Sequence, residues 1–397
     1  MINRNLLANV KRFLLLAISI AGFLLSLEVM SDAFKLLSNE TINSIISATA
    51  NPFIGLFIGL LSTAILQSSS TTTSMVVVMV ASGTLTLQNA VPIIMGANIG
   101  TTVTSSFVAL AHITRKKEFR RAIAAATIHD FFNIITVLVL LPVELLTGVL
   151  SSSALLASKF VYSLDLNPTS GSSFGLGSVT TFISAGLYHS PYLLLFFSLF
   201  TLFLCIKSFT YTLKQLLIGN SLKRMQEVAF GSPLKALGVG TIFTAVIQSS
   251  SVTSSLLVPL VATNKVSIKR AFPFLMGANV GTTFTALLAA ISKSEAAISI
   301  AVVHLLFNLL GVLLLYPVPA IRNLPIIMAL QLGKATIKNR LTGFLYIMMT
   351  FFVVPFFLIY FSTQTPEVAT KAAKTAGEEQ KMIMPEKSRD KAAVKPD

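Results

Sequence analysis

QSSSTTTS, residues 67 to 74, sets eight uncharged polar side chains between two apolar runs. The chain around it is 54% hydrophobic and only 11% charged, with a mean hydropathy of +0.79. That is the composition of a membrane protein, so the hydroxyl-rich run must be placed with respect to a bilayer. Apolar blocks near the roughly 20 residues needed to cross recur at about 13 to 30, 90 to 112, 119 to 141, 191 to 213, 271 to 292, 296 to 318 and 341 to 362. The run itself interrupts another apolar stretch whose arms, 53 to 66 and 75 to 81, are each too short to span. A re-entrant hairpin with QSSS near its tip fits, because irregular backbone at membrane depth survives only where protein or a water-filled cavity satisfies it.

The stretch is not single. PFIGLFIGLLSTAILQSSSTTTS (52 to 74) aligns without gaps on PLKALGVGTIFTAVIQSSSVTSS (233 to 255), and MGANIGTTVT (95 to 104) keeps the register on MGANVGTTFT (276 to 285). Six residues then drop out of a connecting loop, after which HDFFN (129 to 133) lies on HLLFN (304 to 308). Such self-similarity defines a repeat. Three full crossings separate Gln67 from Gln248, and an odd number turns the second copy over. The glycines and hydroxyls of the GAN-GTT segments mark broken helices. The expected fold is an all-α polytopic membrane protein of two inverted-topology repeats with re-entrant hairpins and broken helices, the architecture of secondary transporters.

The chain then divides into an N-terminal helix and external loop (1–51), a first repeat (52–150), a connecting loop and helix (151–232), a second repeat (233–318), a C-terminal segment and helix (319–362) and a polar tail (363–397) expected to be disordered. No small-residue cleavage site follows the first block, so that block is expected to be a retained helix. The net charge of +15 lies in short loops rather than on one face of a soluble domain, which argues against nucleic acid as a partner. Arg4, Lys11 and Arg12, then Arg115 to Arg121, then Lys207, Lys214, Lys223 and Arg224 are expected on the cytoplasmic side, with residues 31 to 51 and 142 to 190 outside. Seven crossings put the C-terminus outside, whereas the cations of residues 320 to 340 favour the inside; the sequence leaves both open. Cys205 stands alone in an apolar block, so neither a disulfide framework nor a thiolate metal site is on offer. No GxxxxGK[ST] loop and no Ser-His-Asp constellation occurs, and an enzyme is not expected.

The chemistry of the repeat suits a small anion. Half-helix N-termini offer unpaired N–H groups and a positive dipole end, while Ser and Thr hydroxyls add donors without a fixed cation. Oxygen ligands in the same place can hold a hard cation such as sodium. Ser, Thr and Gly also line ordinary packing faces; packing, however, does not need Gln67 and Gln248. Asp130 breaks the symmetry, since its partner position is Leu305. An ionised carboxylate at membrane depth costs at least about 2.5 to 3.5 kcal/mol, and Asn133 three residues on can join it around one cation. The alternative is a structural pair with Arg120 or Arg121. The repeat partners His129 and His304 lack Cys or a second carboxylate at ligand spacing and are expected to be hydrogen-bonded structural residues. His112 ends block two, close to where a cation site containing Asp130 would sit, and Glu28 and Glu144 near span ends are expected to reach the interface.

QSSSTTTS with QSSSVTSS, GANIGTT with GANVGTT, and EFRRAIAAATIHDFFN with VLVLLPVE resemble the type II sodium-phosphate cotransporter family over roughly residues 50 to 350. The resemblance implies an electrogenic symporter that moves inorganic phosphate inward with co-transported sodium. It implies phosphate binding at Gln67, Ser68, Ser69, Ser70, Ser249, Ser250 and Ser251, with Thr101 as a helper. One sodium site is implied at Gln248, Thr282 and Thr285, and another at Ser106, Asp130 and Asn133, with His112 where a glutamine is usual and Ala278 where some relatives have serine. The short region 142 to 190 lacks the large cysteine-bridged loop of animal members, which makes this look like a bacterial relative of the plasma (inner) membrane. Another oxyanion such as arsenate, sulfate or a carboxylate, or a passive anion channel, are the alternatives.

Overall fold

The computed structural model describes residues 4–163, 177–217, 229–290 and 293–363; most of the expected disordered tail lies outside them. Every element among the described residues is helical: α1 (Arg4–Lys35), α2 (Asn39–Thr49), α3 (Pro52–Leu66), α4 (Ser69–Ala81), α5 (Leu87–Gly100), α6 (Val103–Leu110), α7 (Lys116–Thr147), α8 (Val149–Ser163), α9 (Gly177–Gly186), α10 (Pro191–Leu217), α11 (Pro233–Ile247), α12 (Ser250–Ala262), α13 (Ile268–Ala290), α14 (Glu295–Leu315), α15 (Pro319–Lys338), α16 (Leu341–Met348), a π turn (Met349–Val353) and α17 (Val354–Thr363). Among the described residues, seven helical stretches are long and apolar enough to cross a membrane, Val10–Lys35, Leu87–Leu110, Lys116–Thr147, Pro191–Leu213, Ile268–Ala290, Glu295–Leu315 and Leu341–Phe361. These are the seven blocks expected from hydropathy. The chain is a polytopic helical membrane protein.

Burial sorts the spans into a core and a rim. The most apolar windows of Leu87–Leu110, Lys116–Thr147 and Ile268–Ala290 are 78%, 72% and 83% buried, against 33%, 28% and 17% for Val10–Lys35, Pro191–Leu213 and Leu341–Phe361. The outer three therefore leave most of their apolar surface for lipid.

Both QSSS stretches fold into a helix, a tight turn and a second helix. Asn51 accepts from the amides of Phe53 and Ile54, and Ser232 from that of Lys235; Pro52 and Pro233 follow at the first helical position, where a missing N–H costs nothing. Each first helix stops at its glutamine, Gln67 (φ 52°) or Gln248 (φ 57°), in the left-handed region. The arms then double back. The Thr63 hydroxyl donates to Thr72 Oγ1 at 3.0 Å and the Thr244 hydroxyl to Thr253 Oγ1 at 2.9 Å, although nine residues of continuous helix would separate each pair by about 13.5 Å.

Of the two GAN-GTT segments, only the second departs from the expected helix break. In the first copy the helix tightens at Thr101 and Thr102, between α5 and α6, whereas in the second α13 runs unbroken through Gly281, Thr282 and Thr283. The glycines serve contact instead. A Cβ on Gly96 would stand 1.8 Å from the Leu56 carbonyl oxygen, and one on Gly59 2.0 Å from that of Ile93. Their partners repeat this, Gly277 at 2.0 Å from Leu237 and Gly240 at 2.2 Å from Phe274. Small residues let α3 lie directly on α5 and α11 on α13, the usual route to close helix contact in a membrane.

Two acids near span ends also find protein partners. Glu144 is buried, and its carboxylate accepts from the amides of Leu150 and Ser151 at the start of α8, a favourable place for negative charge. Glu28 pairs with Lys293 at 2.9 Å. The expectation that both reach the interface is corrected for Glu144, which turns inward because the chain reverses immediately after it.

Candidate functional site

The left-handed glutamines aim both QSSS runs. A non-glycine residue in that region costs of order 1 kcal/mol or more and persists only when its surroundings fix it. Directly after it, Ser68 and Ser249 accept from the amides of Thr71 and Val252 as N-caps of α4 and α12. The next two serines, Ser69 with Ser70 and Ser250 with Ser251, occupy first-turn positions whose N–H groups have no intrahelical acceptor.

The hairpin tips meet. Ser70 Oγ donates to the Gln248 carbonyl oxygen at 2.8 Å and lies 3.5 Å from Thr285 Oγ1, while Ser251 Oγ donates to the Thr101 carbonyl oxygen at 3.4 Å. Beside the tips is a cavity of about 480 Å³, lined by Gln67, Ser68, Thr104, Ser249, Ser251 and Lys207 among others. Of the residues expected to bind phosphate, Gln67, Ser68, Ser249 and Ser251 line it; Ser69, Ser70, Thr101 and Ser250 do not. Ser250 is buried with a hydroxyl that has no protein partner.

The charge pattern places Lys207 with the cytoplasmic loop cations, yet it belongs to α10, its Nζ 5.5 Å from the Phe203 ring centroid. The signal was present: position 207 falls inside the apolar block 191 to 213, not after it.

Behind the tips, the repeats exchange polar contacts. His129 Nε2 shares a short hydrogen bond with Asn279 Oδ1, and His304 Nε2 lies 3.4 Å from Asn98 Oδ1. Asn98 and Asn279 are repeat partners, so each copy's histidine reaches the other copy's GAN asparagine. Asn279 Nδ2 donates to Asn133 Oδ1 at 2.6 Å, Asn133 Nδ2 to the Asn98 carbonyl oxygen at 2.7 Å, and Asn308 Nδ2 to Asn98 Oδ1 at 3.3 Å. All six side chains are buried. Asn98 and Asn279 are absent from the site residues expected from the sequence; a doubled amide in an apolar block is the signal that marks them.

Asp130 is wholly buried and takes part in no ion pair among the described residues. Arg121 instead donates to the Ala262 carbonyl oxygen. Asp130 Oδ2 accepts from the Tyr346 hydroxyl at 3.1 Å, Thr102 lies against the same carboxylate, and Oδ1 has no hydrogen-bond partner among the described residues. Ser106 and Thr282 are likewise buried with unpartnered hydroxyls. Asn133 has both amide atoms committed, Oδ1 to Asn279 of the other repeat and Nδ2 to Asn98 of its own. His112 stands apart: its Nδ1 is 3.2 Å from Glu118 Oε2, and Glu118 precedes Asp130 on α7 by about 18 Å of helix rise. Gln248 and Thr285 converge on Ser70, with Thr282 one turn before Thr285.

A family profile described as Na+/Pi-cotransporter matches residues 23–147 and 201–329, which include both hairpins. Sheep sodium-dependent phosphate transport protein 2A is 37% identical over 415 residues, covering 84% of this chain and 65% of that protein. The rat protein of the same name is 35% identical with 84% and 65% coverage, and human sodium-dependent phosphate transport protein 2B is 33% identical with 87% and 64% coverage. The chain thus spans a little under two thirds of the length of these relatives. No solved structure matches.

Proposed function

The chain belongs to the type II Na+/Pi-cotransporter family, and on that premise we propose that it is an electrogenic symporter carrying inorganic phosphate inward with sodium across a bacterial inner membrane. The observation that carries this reading is the contact between Ser70 Oγ and the Gln248 carbonyl oxygen. It brings two hydroxyl-capped helix N-termini together beside one cavity at the meeting of two repeats. Among the described residues three spans lie between the tips, which supports an inverted arrangement of the copies.

Phosphate is held at the N-termini of α4 and α12 by their free amides and by the hydroxyls of Ser68, Ser249 and Ser251 at the cavity wall, which supply hydrogen bonds and partial positive charge. Lys207 at the cavity wall adds a full one. Sodium is the second substrate. Gln248, Thr282 and Thr285 supply neutral oxygens for one ion. Asp130, with Thr102 against it and Ser106 on α6, which packs on α7, supplies a negative site for another, and Asn133 fixes α7 against Asn279 of the second repeat. Sodium neutralises Asp130 before phosphate arrives, so that empty and fully loaded forms cross and partly loaded ones do not. Because Asp130 carries the charge, Asp130→Gly is expected to abolish the transient charge movement or change the current per phosphate.

The test is uptake of labelled phosphate into proteoliposomes under an inward sodium gradient, with an equal potassium gradient as control. Accumulation with sodium alone supports symport. Equal leakage under both gradients would make the protein a passive anion channel, and sodium-driven uptake of arsenate or sulfate without phosphate would reassign the substrate.

A further inference from the structure

A second cavity, of about 400 Å³, lies where the starts of α11 and α13 meet the turn from α14 to α15. Its wall includes Ser232, Lys269, Arg270, Tyr316, Arg322 and Asn323, and no acidic residue among the described residues. None of the four ion pairs among the described residues involves Lys269, Arg270 or Arg322. Arg322 is stacked over the Tyr316 ring at 5.2 Å. Stacking occupies the face of the guanidinium and leaves its N–H edge for a bidentate oxyanion.

The fold does not require these cations. The matched positions in the first repeat are Gln88, Asn89 and Thr147, none of them charged. There the Asn89 amide donates to the Ile46 carbonyl oxygen and to Thr49 Oγ1, so α2 closes that site from within the protein. Among the described residues, the Lys269 and Arg270 side chains make no such closing contact, and the site is cationic.

The position names the occupant. Ile268 begins one span and Leu315 ends the antiparallel one, so all three cations gather at one membrane face. The distribution of basic residues makes that face cytoplasmic. Beside the cavity Leu234, Ile321, Leu324 and Ile327 are exposed, an apolar surface for acyl chains. Basic pockets between transmembrane helices on this side are suited to anionic head groups. We infer that the cavity formed by Lys269, Arg270 and Arg322 binds the phosphate group of an anionic phospholipid of the cytoplasmic leaflet, separately from the hydroxyl-lined cavity at the hairpin tips.

Native mass spectrometry of the full chain in detergent tests this by titration with phosphatidylglycerol, phosphatidylcholine or inorganic phosphate. Phosphatidylglycerol is expected to be retained in preference to phosphatidylcholine. With about fivefold in affinity per surface cation, Lys269→Gln with Arg270→Gln weakens retention about 30-fold. Both side chains are exposed, so this variant keeps the Arg322–Tyr316 stack and the fold; adding Arg322→Gln removes the remaining preference. Equal retention of the two lipids, or unchanged retention by the double variant, overturns the inference. If phosphatidylglycerol does not bind and inorganic phosphate binds with an affinity that the double variant lowers, the ligand is free phosphate and the lipid assignment fails. The hairpin-tip cavity contributes equally to both proteins, so their difference reads this cavity alone.

Discussion

The Tyr346 hydroxyl donates to Asp130 Oδ2 at 3.1 Å, joining the C-terminal span to a wholly buried acid of the first repeat. The π turn Met349–Val353 begins three residues after Tyr346, and such turns often mark functional positions in a helix. A hydrogen bond to a charged group contributes about 1.5 to 3 kcal/mol. If sodium replaces it, the bond stabilises the sodium-free form, and Tyr346→Phe is expected to lower the half-saturating sodium concentration about tenfold. Sodium-activation curves of phosphate uptake decide, and an unchanged or higher value would show that the bond persists with the ion bound.

Lys207 contributes the cation of the hairpin-tip cavity. Its replacement by Gln is expected to raise the half-saturating phosphate concentration severalfold, by about 1 kcal/mol for one attractive charge at partly solvated range. Lys207→Arg should retain most of the affinity. Equal phosphate dependence of wild type and Lys207→Gln would assign Lys207 to topology alone.

The contact glycines should differ sharply from a free one. Gly96→Ala and Gly277→Ala place a methyl about 2 Å from a backbone oxygen, which only a shift of paired helices can relieve; a loss of at least about 3 kcal/mol is expected. Gly238 on the same helix as Gly240 has nothing within 4 Å of its added Cβ. Gly238→Ala should be neutral or stabilise by up to about 1 kcal/mol. Thermal midpoints of the detergent-purified variants give the comparison.

The amide exchange between repeats should behave as one unit. Asn279→Ala leaves the facing atoms of His129 and Asn133 unpaired in a buried place, at roughly 2 to 4 kcal/mol for two orphaned groups. Asn133→Ala combined with it should cost less than the two changes summed. Strict additivity of the two losses in unfolding experiments would sink the network.

The spans, the doubled QSSS hairpins and Asp130 as an unmatched acid were legible in the sequence because hydropathy, periodicity and self-similarity are local or depend on internal comparison alone. The turn at each QSSS was legible for the same reason, since two arms too short to cross must double back. What the repeat's small residues do was not. Glycine is compatible with a helix break or with close contact, and only the facing carbonyls of Leu56 and Leu237 decide for contact. Asn98, Asn279, Tyr346 and Lys207 acquire their roles from partners or walls far along the chain: Asn279 meets His129 across 150 residues and Tyr346 meets Asp130 across 216. The sequence by itself determined which segments enter the membrane and which polar groups must be satisfied there. The tertiary structure decided which group satisfies which, because a hydrogen bond depends on ångström-scale distance and direction between helices, and helical periodicity specifies a face but not the atom opposite it.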